Sequence, residues 1–214
     1  MYEMRPAAEG DTLAVRDLLS AHNRCASRNG LAPADSIAVR LLIDDPDDDM
    51  VLMLLTEDSA VVGCVVLHAA LPFGWTPSER AEPSLGLSAL HTHPDQQGNG
   101  LTRRITLWAL DFAARRPGTR LHWVRATVPG TPLAAYFRDQ LGWEEVRVTH
   151  DGAGRRCSQM QHAPHRQRGL SALIRGVDPI LGTSTPLPAA AVQMPVQART
   201  EDERLLDEHR GSRT

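Results

Sequence analysis

Apolar residues follow two different patterns along the first part of the chain. The stretches Met50–Thr56 and Ala60–Ala69 are almost continuously apolar and are separated only by a short polar link. Such stretches are typical of strands buried on both faces, and the short link predicts a hairpin. Farther along, apolar residues recur at helical spacing instead, at Leu101, Ile105, Trp108 and Phe112. The two patterns together predict a mixed α/β (α+β) fold.

Shorter signals complete the predicted order of elements. A strand over residues 2–6 precedes a helix that Asp11 caps and that turns Leu13, Val15, Leu18 and Leu19 toward a core. Thr131 is the expected N-cap of a later short helix, which Gly142 ends. The other predicted elements are helices Ala34–Ile43 and Gly100–Arg116 and strands Ser84–Thr92, Leu121–Val128, Glu144–Thr149 and Arg155–Gln161.

The composition changes after residue 162. Residues 163–214 are rich in Pro, Ala, Arg and Ser and show no strand pattern, and only Glu201–His209 has helix signals. We therefore predict one folded domain over residues 1–162 and a largely disordered tail over residues 163–214. A docking arm that packs on a partner is the alternative interpretation of this tail.

Charge and cysteine content exclude some classes of function. The formal net charge of −3 gives no basic field for nucleic acid. The three cysteines are scattered, as expected of reduced thiols in a cytosol. The apolar stretch Met50–Leu71 is interrupted by Glu57-Asp58-Ser59, so neither half is long enough to span a bilayer. These features predict a soluble, cytoplasmic protein without a membrane partner, and they leave a homodimer open.

The segment His93–Thr102 lies between a predicted strand and a predicted helix. Its glycines allow a tight turn that directs several backbone N–H groups at one point, and the helix N-terminus adds a positive dipole end. The segment thus predicts an anion site, although an ordinary strand-to-helix turn explains two glycines equally well. It is neither a Walker loop nor a dinucleotide fingerprint, because the residues that complete those motifs are missing.

Gln97-Gly98-Asn99-Gly100-Leu101-Thr102 resembles the Gln/Arg-x-x-Gly-x-Gly/Ala signature of the GNAT superfamily of N-acetyltransferases. Met4-Arg5-Pro6-Ala7 and Tyr136…Leu141-Gly142-Trp143 are similar to its first strand and a late element, and the order of elements agrees. The resemblance implies a mixed, mostly antiparallel, splayed sheet of about six or seven strands flanked by about four helices. It also implies direct transfer of an acetyl group from acetyl-CoA to a primary amine in a ternary complex, without a metal.

The same resemblance implies roles for particular residues. The backbone of Leu90, His91 and Thr92 would hold the pantetheine arm like an added strand. Tyr136 is the candidate acid for the leaving thiolate, although a core aromatic is the alternative. Thr102 stands where the family has a small residue, and its branched side chain could crowd the phosphates. The residues whose amides would hold the pyrophosphate are Gln97, Gly98, Asn99, Gly100, Leu101 and Thr102.

The sequence does not select a general base or an acceptor. Trp123 stands where some family members have a glutamate, and the substitutes are a water chain or one of His68, His91, His93, Glu79 and Glu82. Phe73 and Trp75 are candidates for an acceptor pocket or for core packing, and Asp44–Asp49 either attracts a cationic acceptor or is a solvated loop. The acceptor itself could be a small amine, an antibiotic, a protein N-terminus, a lysine side chain or an aminoacyl group.

Two rival functions remain at this point. His91-Thr92-His93-Pro94 is similar to the His-Ser/Thr-His-Pro of zinc-dependent JAMM peptidases. That family also needs a serine and an aspartate shortly downstream, and Leu101 and Arg104 stand near those positions here. A non-catalytic acyl-CoA-binding or interaction module on the same fold is the second rival, because Thr102 departs from the signature and the glutamate is absent.

Overall fold

A computed structural model of the chain describes residues 1–28, 39, 43, 49–71, 74–116, 120–152, 154–179 and 181. The helices are α1 (Thr12–Arg28), α2 (Pro77–Ala81), α3 (Leu101–Arg115), α4 (Thr131–Leu141) and α5 (Leu170–Leu173). The strands are β1 (Tyr2–Pro6), β2 (Met50–Glu57), β3 (Ala60–His68), β4 (Ser84–Thr92), β5 (Trp123–Pro129), β6 (Glu144–His150), β7 (Arg156–His162) and β8 (Ile174–Gly176). None of the described helices combines the length and the apolar composition that crossing a membrane requires.

All eight strands form one sheet in the order β6-β7-β5-β4-β3-β2-β1-β8. Neighbouring strands are antiparallel except at two places, β4 beside β5 and β8 beside β1. The predicted mixed, mostly antiparallel sheet is confirmed, with one strand more than the predicted upper number.

The sheet has a hydrophobic core on each face. Successive residues of β2 and β3 point to opposite faces, so the two continuous apolar stretches supply both cores, as predicted. On one face Met53, Leu55, Val65 and Leu67 pack with the predicted stripe of α3 and with Phe137 of α4. On the other face Leu52, Leu54, Cys64 and Val66 pack with Val15, Leu18 and Leu19 of α1.

Strands β4 and β5 separate after a short common stretch. They pair in parallel only from Ser84–Leu87 on β4 to Trp123–Ala126 on β5. Beyond that point β4 continues beside β3, while β5 continues beside β7. A register shift against β3, together with a positive φ of +46° at Ala89, marks a bulge in β4. The predicted splay of the sheet is therefore confirmed.

Two predicted helix starts are wrong in detail. Asp11 does not cap α1, because its carboxylate accepts hydrogen bonds from the Ala8 amide at 2.8 Å and from the Arg5 guanidinium at 2.6 Å. Consequently a 3-10 turn, Glu9–Asp11, leads into α1, and Leu13 is exposed. Thr131 is inside α4 and Gly130 is the N-cap, with a φ of +73° that favours glycine. Gly142 ends α4 in the left-handed region, as predicted.

The prediction of no strand after residue 162 is wrong for the beginning of that segment. Strand β8 pairs with β1, and Leu170, Ile174 and Leu181 are buried in the core that α3 shares. A strand of three residues is too short to show a periodic pattern. The predicted tail helix Glu201–His209 lies outside the described residues, as does Ala34–Ile43 apart from the buried Val39 and Ile43. The division at residue 162 stays a prediction.

Hydrogen bonds fix the C-terminal segment to α3. The buried carboxylate of Asp111 accepts the backbone N–H of Gln167 at 2.7 Å and Nε of Arg115 at 2.7 Å. Arg115 also pairs with Asp178 at 2.5 Å. Gly176 lies so close to α3 that a Cβ added to it would be 2.6 Å from Nε1 of Trp108.

We therefore expect Gly176→Ala to lower the free energy of unfolding by about 1–3 kcal/mol, because the added methyl group overpacks the contact with Trp108. Urea denaturation measures the change. Gly152→Ala is the matched control, because nothing lies within 4 Å of that position. Equal stability of the two variants would show that β8 does not pack against α3 as described.

Candidate functional site

The loop before α3 is shaped by two glycines and one turn. Residues Pro94–Gln96 form a 3-10 turn, and His93 stabilises it by accepting the Asp95 amide on Nδ1 at 3.3 Å. Gly98 and Gly100 have φ values of +92° and +68°, which a side chain would strain. Gly100 is also the N-cap of α3, without a side-chain cap.

This conformation leaves a group of backbone donors unused. Within the described residues, the N–H groups of Gly98, Gly100, Leu101, Thr102 and Arg103 have no hydrogen-bond acceptor. The amides of Gln97 and Asn99 differ from the expectation, because they donate inside the loop to Pro94 and Gln96 at 3.1 Å and 3.2 Å. Free donors grouped at a helix N-terminus form a site that suits a phosphate or pyrophosphate.

Two arginines reinforce the positive end of α3. Arg104 donates to the carbonyl of Asn99 and lies 4.5 Å from the ring centroid of Tyr2, so it braces the loop against β1. Arg103 is exposed and has no ion pair among the described residues. The loop therefore combines fixed donors with positive charge, as an anion site needs.

The second half of β4 has one edge without a neighbouring strand. The His93 amide donates to Val62 at 2.8 Å, and Cys64 stands opposite His91. In an antiparallel ladder this arrangement directs the backbone N–H and C=O of His91 toward β3 and those of Thr92 toward the opening. Of the predicted pantetheine contacts, Thr92 thus presents its backbone to the opening, whereas Leu90 lies beside the bulge.

Tyr136 lies on α4, on the far side of the opening from β4. Helix α4 packs on β5 and β7, and Tyr136 is partly buried against the core of that face. The predicted position at the edge of a buried stripe agrees with this placement, since the neighbouring Phe137 is fully buried.

The two candidate glutamates are held by arginines. Glu79 accepts two hydrogen bonds from Arg147, at 2.5 Å and 2.7 Å, and these bonds lower the pKa of its carboxyl to about 2. Glu82 pairs with Arg125, whose side chain is 3% exposed. A carboxylate with such a low pKa is a poor proton acceptor near neutral pH, and an ion-paired one is not free to approach a substrate.

Trp75 belongs to the same cluster. Its ring is 4% exposed and lies 5.2 Å from the guanidinium of Arg125 and 5.7 Å from that of Arg147. Trp75 therefore packs in the interior and does not line an open acceptor pocket. Phe73 and residues 44–48 of the acidic run lie outside the described residues.

The candidate histidines differ in their surroundings. Nε2 of His68 is 2.6 Å from Oγ of Ser88, and the ring is buried. His91 packs against His22 of α1 with ring centroids 4.7 Å apart, and its Nδ1 is buried without a partner among the described residues. Burial, and secondarily the charge of His22, lowers the pKa of His91 to about 4.

His22, which packs against β4, was not among the candidate residues chosen from the sequence. The sequence pattern could have identified it, because His22 falls at helical spacing after Val15, Leu18 and Leu19 on the buried stripe of α1. A polar residue on that stripe indicates a position that faces another element.

The zinc alternative needs a third ligand beside His91 and His93. Among the residues that the structure describes, no three His, Cys, Asp or Glu side chains are grouped to hold a metal. The Nδ1 atom of His93 is already an acceptor for the Asp95 amide.

Comparison with known proteins identifies the family. The model of the acetyltransferase (GNAT) family matches residues 15–143, which is more than half of the chain. The chain therefore belongs to the GNAT acetyltransferase family, whose members transfer acyl groups. No curated protein sequence matches the chain significantly.

Solved structures share the fold at low sequence identity. An acetyltransferase from Thermus thermophilus is 21% identical, with a TM-score of 0.55, over 76% of this chain and 97% of that one. The ribosomal-protein-S18-alanine N-acetyltransferase of Escherichia coli is 14% identical, with a TM-score of 0.54, over 79% and 97%. Arabidopsis thaliana NAA60 in complex with acetyl-CoA is 11% identical, with a TM-score of 0.55, over 76% and 98%.

The Glu79–Arg147 pair predicts a pH-dependent contribution to stability. The pKa of Glu79 is lowered from 4.5 to about 2 in the folded chain, so the pair stabilises fully above about pH 4.5 and loses its effect as the pH falls toward 2. We expect Glu79→Gln to lower the free energy of unfolding at pH 7 by about 1–3 kcal/mol.

The difference between wild type and Glu79→Gln should shrink as the pH is lowered from 5 to 3, which urea denaturation at each pH measures. Glu9→Gln is the control, because Glu9 is exposed and has no ion pair among the described residues. A difference that is the same at every pH would contradict the described pair.

Proposed function

We propose that this chain is an acetyl-CoA-dependent N-acetyltransferase that transfers an acetyl group directly to a primary amine in a ternary complex. The observation that carries the proposal is the opening between β4 and β5, which lies beside the free amides at the N-terminus of α3. An anion site and a strand edge without a neighbouring strand, next to each other, match two parts of coenzyme A, its pyrophosphate and its amide-bearing pantetheine arm.

The free amides of Gly98, Gly100, Leu101 and Thr102 would hold the pyrophosphate. The backbone N–H of Thr92 at the edge of β4 points away from β3 and offers a hydrogen bond to the pantetheine arm. Arg103 adds a positive charge to the first turn of α3. These groups would place the thioester beside the opening of the sheet, where an amine can approach from the other face.

The transfer then needs one bond formed and one broken. The amine nitrogen bonds to the thioester carbon, the carbon–sulfur bond breaks, and the nitrogen loses a proton. Tyr136 is proposed to give its phenolic proton to the departing sulfur, which leaves as a thiol. Its position on α4 supports this role, because α4 packs on β5 at the side of the opening across from β4.

Thr102→Glu tests the anion site. A carboxylate in the first turn of α3 repels a pyrophosphate, although it interacts favourably with the helix dipole and so preserves the fold. We expect the dissociation constant of acetyl-CoA to rise at least about tenfold in isothermal titration calorimetry, equivalent to about 1.4 kcal/mol.

Leu13→Glu is the matched control, since it places the same carboxylate at an exposed position in the first turn of α1. This variant should bind acetyl-CoA like the wild type. Equal weakening by both substitutions would place the anion elsewhere, and no binding by the wild type would remove the proposed function.

Tyr136→Phe tests the proposed acid. We expect kcat to fall about 10²–10⁴-fold while the dissociation constant of acetyl-CoA stays unchanged, because only the proton donor is lost. Release of coenzyme A, followed with a thiol reagent, measures the rate with ethanolamine, kanamycin, Nα-acetyl-lysine and an alanine-initiated peptide as acceptors.

An unchanged kcat at every pH would exclude Tyr136 as the acid. Acetyl-CoA binding by the wild type without turnover of any of these amines would favour the non-catalytic acyl-CoA-binding module instead.

A further inference from the structure

His22 lies where α1 meets the end of β4. Its ring packs on that of His91, with centroids 4.7 Å apart, and it also makes a polar contact with the backbone of Thr92. The backbone of Thr92 faces the opening rather than β3, as the register of β4 shows. A ring that reaches this backbone therefore lies at the edge of the opening.

The two faces of the sheet place His22 across from Tyr136. Helix α1 covers the face whose core contains Val15 and Leu18, whereas α4 covers the face whose core contains Phe137. A continuous sheet would separate the two side chains completely. The opening between β4 and β5 is the place where groups from both faces have access to the same point.

The surroundings of His22 favour its neutral form. Burial lowers its pKa from 6.5, and the contact with the Thr92 backbone only partly opposes this effect. The ring of His91 on β4 packs on that of His22, Cys64 on β3 is paired with His91, and α1 also contacts the 3-10 turn that carries Asp95 and follows His93. Burial raises the pKa of the Cys64 thiol to about 12, so this group is uncharged at neutral pH.

The candidate proton acceptors that are ion-paired or more deeply buried are less suited. Glu79 and Glu82 are bound by Arg147 and Arg125. His68 is buried against Ser88, and His91 is more deeply buried than His22. His22 is only partly buried.

We propose that His22 is the general base that removes the proton from the acceptor amine; this inference rests on the proposed function. As the nitrogen bonds to the thioester carbon, a ring nitrogen of His22 takes the proton that the amine loses. The carbon–sulfur bond breaks, and the sulfur takes a separate proton from Tyr136. His22 thus accepts one proton on the face of the sheet that α1 covers, and Tyr136 donates another on the face that α4 covers.

His22→Gln tests the proposal, with the acceptor amines named above. In the wild type, kcat/KM should fall at acidic pH with an apparent pKa below 6.5, because a protonated imidazole cannot act as a base. In His22→Gln we expect kcat to drop about 100-fold or more, this acidic limb to disappear, and the dissociation constant of acetyl-CoA to stay unchanged. A purely structural role would not remove one limb of the pH profile.

Two further measurements make the test decisive. His150→Gln, an exposed histidine at the end of β6, should retain the wild-type rate and pH profile. Added imidazole should restore part of the rate of His22→Ala. The proposal is overturned if His22→Gln keeps kcat within about threefold and keeps the acidic limb, or if the wild type has no such limb.

The wild-type limb and the imidazole rescue decide the question even where His22→Gln folds poorly. If the chain is not an acetyl-CoA-dependent N-acetyltransferase, the result is different. The wild type itself would then not bind acetyl-CoA, or would not release coenzyme A with any amine.

Discussion

The site depends on one constraint, the short stretch over which β4 and β5 pair. Each strand pairs over a longer stretch with its other neighbour. Strand β4 pairs with β3 as far as Thr92, and β5 pairs with β7 as far as Pro129. Where the two strands diverge, backbone groups on the inner edges lose their partners, and such groups need hydrogen bonds from somewhere else. Under the proposed function, a ligand that carries its own amides would supply them.

Arg125 fixes where the opening begins. Its guanidinium, on β5, donates to Oγ of Ser84 at 3.1 Å and to groups of Glu79 and Glu82 just before β4. A buried cation needs such partners, because leaving it unpaired would be strongly unfavourable. The side chain therefore ties β5 to the first residue of β4, at the closed end of the opening, and leaves the rest of both strands free to diverge. The ring of Trp75 packs on this guanidinium.

The periodic parts of the fold were predictable, and the long-range contacts were not. The stripe of α3 and the two apolar strands were recognisable because burial imposes a period on neighbouring residues. Arg147 and Glu79 are 68 positions apart, and no local pattern connects them. Because no local pattern reveals this long-range ion pair, Glu79 was a reasonable candidate for a base from the sequence alone. In the folded chain its carboxylate is paired with Arg147. His22 was visible only as a polar position on an apolar stripe.

Helix α3 connects the anion site to the C-terminal segment. Its N-terminus carries the free amides, and its C-terminal half is held by Asp111, Arg115 and Trp108 against residues 166–178. Under the proposed function, a ligand at the N-terminus of α3 would stabilise the folded chain, as the docking of this segment on α3 also does. The segment after residue 162 thus supports the loop from the far end of the helix, although it lies outside the part that the family model matches. Contacts of α3 with the loop at one end and with the C-terminal segment at the other therefore both help to place the loop.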